Sequence, residues 1–455
     1  MSVNISKLRK LTYCSGSTGF SILDNIIGFY LIYLMLPPAE SGLPELLNSK
    51  PVFLAVNILG IITIFGRIID SISDPLIAYW TDNAKFRIGR RKFFLLTGAF
   101  PFAFCTFLIF TPPFQYISAI NAVYVAVTLG LYFFFYTYYM VPYLALIPEF
   151  SRDHNDRIFI TSFQAVFLLI GAGIAMIGGD LFWKIFQNIT PDKMTSFKYS
   201  ILTLSLFAFI SLFIGGIVVK ESKKDITEPA SAGVLKSVKS TVTNKSFLIY
   251  MIAVISFWST FHIVRSILKY YPIVLLNKEE SFSAILMVLL FAGAACFFPL
   301  IAFLSAKTSN KTVMLSGLLS FAVISCFTFF IDRFGSFTTA AALIQMALYG
   351  YPIGILLVIP NAMVADIAEV DSHEKGVNRE AMFFGTQGFF MKVVYGVAVA
   401  MVASILGIFG KDAANPLGVK MTGFLGAGFS LAGFVFLLKY PQTKINETLE
   451  KIRNT

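Results

Sequence analysis

Arg67, Asp70 and Asp74 stand inside an apolar run, 52–80, that is long enough to cross a membrane. They belong to the stretch GRIIDSISDP, Gly66 to Pro75. Asp70 and Asp74 are four residues apart, so a helix sets them on one face about 6 Å apart along its axis. Ser73 lies near that face and offers a hydroxyl oxygen. A carboxylate costs several kcal/mol in hydrocarbon, so it faces the protein interior and its default reading is functional. Like charges one turn apart also repel, and such a pair either shares a proton or holds a cation between its oxygens. The competing reading is structural: the carboxylates pair with Arg67, or cap a helix broken at Pro75.

The elements that must carry these groups are membrane helices. Of 455 residues, 56% are hydrophobic and 13% charged, against about 25% charged in soluble proteins. Twelve apolar spans are predicted, at about 12–36, 52–80, 93–112, 118–147, 158–186, 199–219, 247–276, 282–305, 312–331, 338–365, 381–409 and 417–438. The first is too long for a signal-peptide core and reads as a retained helix. A lysine-rich stretch, 220–246, separates residues 1–219 from 247–455, so two six-helix halves flank a cytoplasmic linker. With both termini inside, 24 of the 36 Lys and Arg fall on inner segments, eight on outer ones and four within spans. That bias predicts a multi-pass protein of the inner or plasma membrane with both ends cytoplasmic. The net charge of +11 belongs to these loops and does not point to nucleic acid. Cys14, Cys105, Cys296 and Cys326 lie in apolar segments without disulfide or metal spacing.

Further polar groups are scattered along the spans. Asp24 is a second intramembrane acid in span one, either facing solute or cation or hydrogen-bonded in the core. After span two, Asp82 with Arg87, Arg90 and Arg91 offers an ion-pair latch, and topology-setting charge explains the same residues. An acidic loop after span ten, with Asp366, Glu369, Asp371, Arg379 and Glu380, is its expected partner when the inner side closes. Thr137 in span four can lend an oxygen to a cation held by span two, and Gln164 of span five looks toward the centre. His262, Arg265 and Lys269 fall near one face of span seven. Lys269 reads as snorkelling, and His262 as a hydrogen-bonded core residue or a proton relay. Lys392, about twelve residues into span eleven, needs a carboxylate partner or must deprotonate; Asp70 and Asp74 are its expected partners.

Three stretches carry a resemblance: RIIDSISDPLIAYWTDNAKFRIGRRKFFLLTGAFP, VPYLALIPEFSRDHNDR, and DIAEVDSHEKGVNRE followed by Lys392. Over nearly its whole length the chain resembles the melibiose-carrier group of the major facilitator superfamily, the glycoside–pentoside–hexuronide:cation symporters. The resemblance implies the major facilitator fold, an all-α membrane protein of twelve transmembrane helices in two pseudo-symmetric six-helix bundles. It implies a Na⁺, Li⁺ or H⁺ site at Asp70 and Asp74, with Thr137 completing it, Ser73 at a position usually held by asparagine, and Lys392 as the coupling lysine. In that family the sugar is held by groups that align here with Ser21 (Asp24 lies one turn on), Met140, Leu144 and Gln164. Two carboxylates, a tryptophan and an arginine are thereby replaced. The signature is also similar to that of sodium-dependent lysolipid carriers, with which an apolar pocket at Met140 and Leu144 is compatible.

The expected function is cation-coupled symport, with Na⁺ or H⁺, of a small organic solute, a sugar or glycoside, by alternating access. The alternative is a lysophospholipid or other amphiphile. The substrate pocket is expected at Ser21, Asp24, Met140, Leu144, Gln164 and Arg265. No cofactor besides the coupling ion is implied, and the partners are the solute and the bilayer around a monomer. A non-transporting receptor or scaffold would not need the buried acids and lysine, and no nucleophile–base pair or phosphate loop supports an enzyme.

Overall fold

The computed structural model describes residues 6–53, 55–150, 154–219, 241, 243–375 and 380–454. The chain divides into two compact units, Met1–Pro229 and Ala230–Thr455; residues 220–240 of the expected linker lie outside the described residues. In the first unit the helices are α1 (Lys7–Met35), α2 (Ile58–Asn83), α3 (Arg90–Ile109), α4 (Ala119–Ala145), α5 (His154–Gly173, continued through a π turn Ile174–Gly178 into Gly179–Gln187) and α6 (Lys193–Ile217). A two-stranded hairpin, β1 (Pro51–Phe53) and β2 (Val56–Asn57), precedes α2. In the second unit they are α7 (Lys245–Ile267), α8 (Phe282–Lys307), α9 (Asn310–Phe330), α10 (Thr338–Lys375), α11 (Glu380–Phe409), α12 (Leu417–Leu437) and a polar α13 (Gln442–Asn454).

Local chemistry starts these helices where they start. Ser6, Asn57, Ser118, Asp192, Asn244 and Ser309 each turn a side-chain oxygen onto a backbone N–H of the first turn of α1, α2, α4, α6, α7 and α9. Among the described residues ten helical stretches are long and apolar enough to cross a membrane, and one of them, Asn310–Glu374, takes in α9 and all but the last residue of α10. The twelfth span, α2, is absent from that group because Arg67, Asp70 and Asp74 crowd it.

The two units repeat one packing plan. In the first, α1 packs on α5 and α6, α2 on α4, and α3 on α4 and α6; in the second, α7 packs on α11 and α12, α8 on α10, and α9 on α10 and α12. Every pair has its counterpart six helices further on. Small residues make the close approaches. A Cβ on Gly19 of α1 would stand 2.4 Å from the Ala208 carbonyl oxygen of α6, and one on Gly350 of α10 would stand 2.2 Å from the Gly293 carbonyl carbon of α8. With no hydrophobic force between helices in lipid, such contacts carry the packing. Gly350→Val is therefore expected to yield no monodisperse protein on size exclusion, whereas Gly428→Ala, at a position where a Cβ meets nothing within 4 Å, behaves as wild type.

Two expectations are corrected. The acidic segment after span ten is not a loop: α10 continues through Asp366, Glu369 and Asp371 to Lys375. Nothing between Val364 and Lys375 breaks a helix, and Gly comes only at 376. Span seven is not one helix either. α7 stops at Ile267, and a π turn, Tyr271–Leu275, follows two turn residues. Pro272 cannot donate to the preceding turn, which explains the break.

Candidate cation site

The carboxylates of α2 face α4 across a seam held by glycines. A Cβ on Gly66 would stand 2.7 Å from the Phe133 ring, and one on Gly130 2.8 Å from Ile69 Cδ1, so the two helices approach where neither carries a side chain. One turn beyond Gly66, Asp70 is fully buried, and Asp74 on the next turn is half-buried. Thr137 comes from α4, also fully buried, and its hydroxyl lies 2.9 Å from Asp70 Oδ1 and 3.1 Å from Asp74 Oδ1.

That double contact has a chemical consequence. A hydroxyl has one proton to give and lone pairs to accept with. Thr137 donates to one carboxylate, and the second contact is a full hydrogen bond only when the other carboxyl is itself protonated. Carboxylate and hydroxyl oxygens are the ligand type hard cations take.

Arg67 completes the group. Its Nη1 donates to Asp70 Oδ2 at 3.0 Å, and its guanidinium lies over the Phe133 ring at 4.3 Å from the centroid. Arg67, Asp70 and Asp74 together sum to one negative charge, which one proton or one monovalent cation neutralises. The structural reading of the sequence expected the acids to pair with Arg67, and Asp70 does so. Tyr136 on α4 lies within electrostatic reach of Asp70, Asp24, Arg67 and Asp74, which brings Asp24 of α1 to the edge of the same cluster. The sequence reading missed Tyr136; its signal was adjacency to Thr137 in FFYTYYM.

The other expected site residues are distributed as follows. Ser73 donates to the Asp70 backbone carbonyl at 2.9 Å, so its proton goes to its own helix while its oxygen keeps a lone pair. Ser21 donates to the Leu168 carbonyl at 2.6 Å and receives the Asn25 amide at 3.1 Å, a junction of α1 with α5. Gln164 is buried beside the Tyr13 and Tyr143 hydroxyls. Those tyrosines clasp α1 to α4: Tyr13 donates to the Tyr143 carbonyl, and Tyr143 to the Tyr13 carbonyl at 2.9 Å. Met140 is half-buried and Leu144 is exposed. Arg265 and Lys392 belong to the second unit, Arg265 buried in the last turn of α7 and Lys392 half-buried on α11.

Of the expected gate, Arg91 donates to the Ala145 carbonyl at the end of α4 at 2.7 Å, a contact inside its own unit. Arg87 is exposed and Arg90 half-buried. Asp366 stands in electrostatic reach of the Tyr440 hydroxyl, and Asp371 accepts from the Asn244 amide at 3.0 Å. Glu369 is half-buried on α10. The Asp82 and Glu380 side chains and all of Arg379 lie outside the described residues. Among the described residues no three His, Cys, Asp or Glu side chains gather as a metal-binding group.

Comparison with known proteins gives a consistent set of likenesses. A profile described as MFS/sugar transport protein matches residues 12–438. An uncharacterized symporter of Synechocystis sp. is 23% identical, covering 96% of this chain and 95% of that protein. The raffinose carrier protein of Pediococcus pentosaceus is 22% identical over 94% of this chain and 66% of its own length. A glucuronide carrier protein homolog of Escherichia coli is 23% identical over 87% of each. Among solved structures, a bacterial homolog of the lysosomal transporter Spinster superposes with a TM-score of 0.68 at 11% identity, over 98% of this chain and 97% of that one. The nucleoside transporter NupG gives 0.62 at 14% identity, over 96% and 100%. At such identities the structural likeness shows the fold.

Proposed function

The chain belongs to the MFS/sugar transport protein family, and from that premise we propose that it is a cation-coupled symporter of a sugar-like solute working by alternating access. It is a transporter, not an enzyme, in keeping with relatives named as carriers and symporters. The observation that carries the coupling is the Thr137 hydroxyl set between the carboxylates of Asp70 and Asp74 in the α2–α4 seam. The coupling ion, Na⁺ or H⁺, sits among those three oxygens, and Na⁺ displaces the proton that the ion-free pair shares.

Filling the site offsets negative charge of the Asp70 and Asp74 carboxylates. The loaded cluster then moves through the low-dielectric interior at lower cost than the empty one. Because the coupling is a free energy shared by two sites, the cation raises solute affinity by the factor by which solute raises cation affinity. Ser73 and Asp24 stand ready as further oxygen donors, and Lys392 acts as the coupling residue of the second unit. The Lys and Arg bias supports cytoplasmic termini, and the transporter works as a monomer in the cell membrane.

Reconstitution into lipid vesicles tests the reading. A tenfold inward cation gradient carries about 1.4 kcal/mol, so one-for-one coupling accumulates solute about tenfold. Labelled raffinose, a glucuronide and a lysophospholipid are offered in turn under Na⁺ and proton gradients. Accumulation above equilibrium that vanishes with the gradient supports symport; uptake that only equilibrates, whatever the ion, contradicts it. Accumulation of the lysolipid alone replaces the sugar with an amphiphile.

A further inference from the structure

Phe133 stands on α4 four residues before Thr137, and Gly66 stands on α2 four residues before Asp70. Each pair shares a helix face, so ring and glycine form one layer of the α2–α4 seam and the oxygens form the next. The ring is buried, and a Cβ on Gly66 would stand 2.7 Å from two of its carbons. Tyr132 meets it edge-on with centroids 5.0 Å apart, and Tyr132 packs in turn on Phe102 of α3 at 5.4 Å. Enclosed in this way, the ring has little room to turn. Its face carries the Arg67 guanidinium, 4.3 Å from the centroid, and that guanidinium donates to Asp70 Oδ2.

Where the guanidinium lies matters, because an arginine is itself a cation. Asp70 Oδ2 accepts from Arg67, while Asp70 Oδ1 lies 2.9 Å from the Thr137 hydroxyl, which also reaches Asp74 Oδ1 at 3.1 Å. A guanidinium is a planar fork that suits both oxygens of a carboxylate at once. Turned fully onto Asp70, it would bring a built-in positive charge to the oxygens facing Thr137. The aromatic face opposes that turn, because its quadrupole attracts the guanidinium where it now lies, and the attraction is strongest when the pair is desolvated.

We propose that Phe133 is a positioning residue of the cation site: its ring holds the Arg67 guanidinium at Asp70 Oδ2 and so keeps it off the oxygens of Asp70, Asp74 and Thr137 that the coupling ion uses. This rests on the symport reading and deepens it, because a built-in cation and the transported one then compete for the same acids. An uncharged side chain that touches neither the ion nor the acids decides the competition. Without the ring, Arg67 turns onto Asp70 and Na⁺ meets a site already holding positive charge.

The experiment is calorimetric titration of the purified full chain with NaCl, at ionic strength held constant with choline chloride. Phe133→Leu, which keeps apolar bulk without an aromatic face, is expected to weaken Na⁺ binding about three- to thirtyfold. Phe133→Tyr keeps the face and should stay within about twofold of wild type. In an Arg67→Gln background, where there is no built-in cation to hold, Phe133→Leu should change Na⁺ affinity less than about twofold, a non-additivity that a merely space-filling ring would not produce. The unfolding midpoint in Na⁺-free buffer reports whether each variant folds; Phe133→Met replaces the leucine variant if that one does not, and the contrast with Phe133→Tyr needs no change at Arg67. Unchanged Na⁺ affinity in the ring-less variant, an equal loss in Phe133→Tyr, or a loss undiminished in the Arg67→Gln background overturns the proposal. Absence of Na⁺ binding by the wild-type chain overturns it as well. In that case solute accumulation under a proton gradient leaves the symport reading standing, and uptake that only equilibrates removes both.

Discussion

Asp74→Asn is expected to abolish cation-driven accumulation, lowering the solute ratio under a tenfold gradient from about ten to one. The argument is one of charge. Arg67 and Asp70 form a buried pair 3.0 Å apart that is neutral by itself, and Asp74 adds a second carboxylate whose charge the asparagine removes. Asparagine has the same shape and can still bond to the Thr137 hydroxyl, so the cluster is left permanently neutral, as if loaded. Solute exchange at equal concentrations therefore survives in the variant while net, gradient-driven uptake is lost. Both halves are read in one preparation, by counterflow and by gradient-driven uptake of the same labelled solute. Gradient-driven accumulation equal to wild type would remove Asp74 from the coupling mechanism.

The second large effect concerns Arg67. Replacing it with methionine keeps an apolar stem against Phe133 but strips a fully buried carboxylate of its counter-ion. Breaking a buried pair by removing one partner costs about 3–5 kcal/mol, whereas removing both is often close to neutral. Arg67→Met is expected to lower the thermal unfolding midpoint sharply, and Arg67→Met with Asp70→Asn to recover most of the loss. The recovery is a non-additivity that only a direct pair produces. An Arg67→Met protein as stable as wild type would show that Arg67 is not what keeps Asp70 buried.

Much of the site was legible because membrane physics makes intramembrane charge conspicuous. Asp70, Asp74 and their shared helix face follow from a four-residue spacing inside an apolar run. Thr137 carries a weaker signal, one threonine among the aromatic residues of α4 that can lend an oxygen to a cation held by span two, and the resemblance points to the same residue. The Arg67–Asp70 pair was hidden as well, because it depends on the rotamer that lays the guanidinium on Phe133. Ser73 shows the same limit, because a hydroxyl on a helix can turn to its own backbone.

At the level of the fold, the two units repeat which helices touch rather than which residues touch. Gly66 and Gly130 close the α2–α4 seam in the first unit, while Gly350 and Gly293 close α8–α10 in the second. The duplication is therefore plain in the packing and faint in the sequence. The extended end of α10 was misjudged because Asp, Glu and His look like loop by polarity, although helix propensity carries the chain on to Lys375. The break at Tyr271–Leu275 was signalled by Pro272 inside a span that hydropathy alone runs together.

The central claim is that one cation and one proton compete for the oxygens of Asp70, Asp74 and Thr137. Titrating purified protein with Na⁺ in a weakly buffered solution, while recording heat and released protons together, tests it most directly. The account predicts saturable binding that releases close to one proton per chain, an apparent affinity that weakens as pH falls, and neither signal in Asp74→Asn. Saturable Na⁺ binding without proton release, or release undiminished in Asp74→Asn, would contradict it.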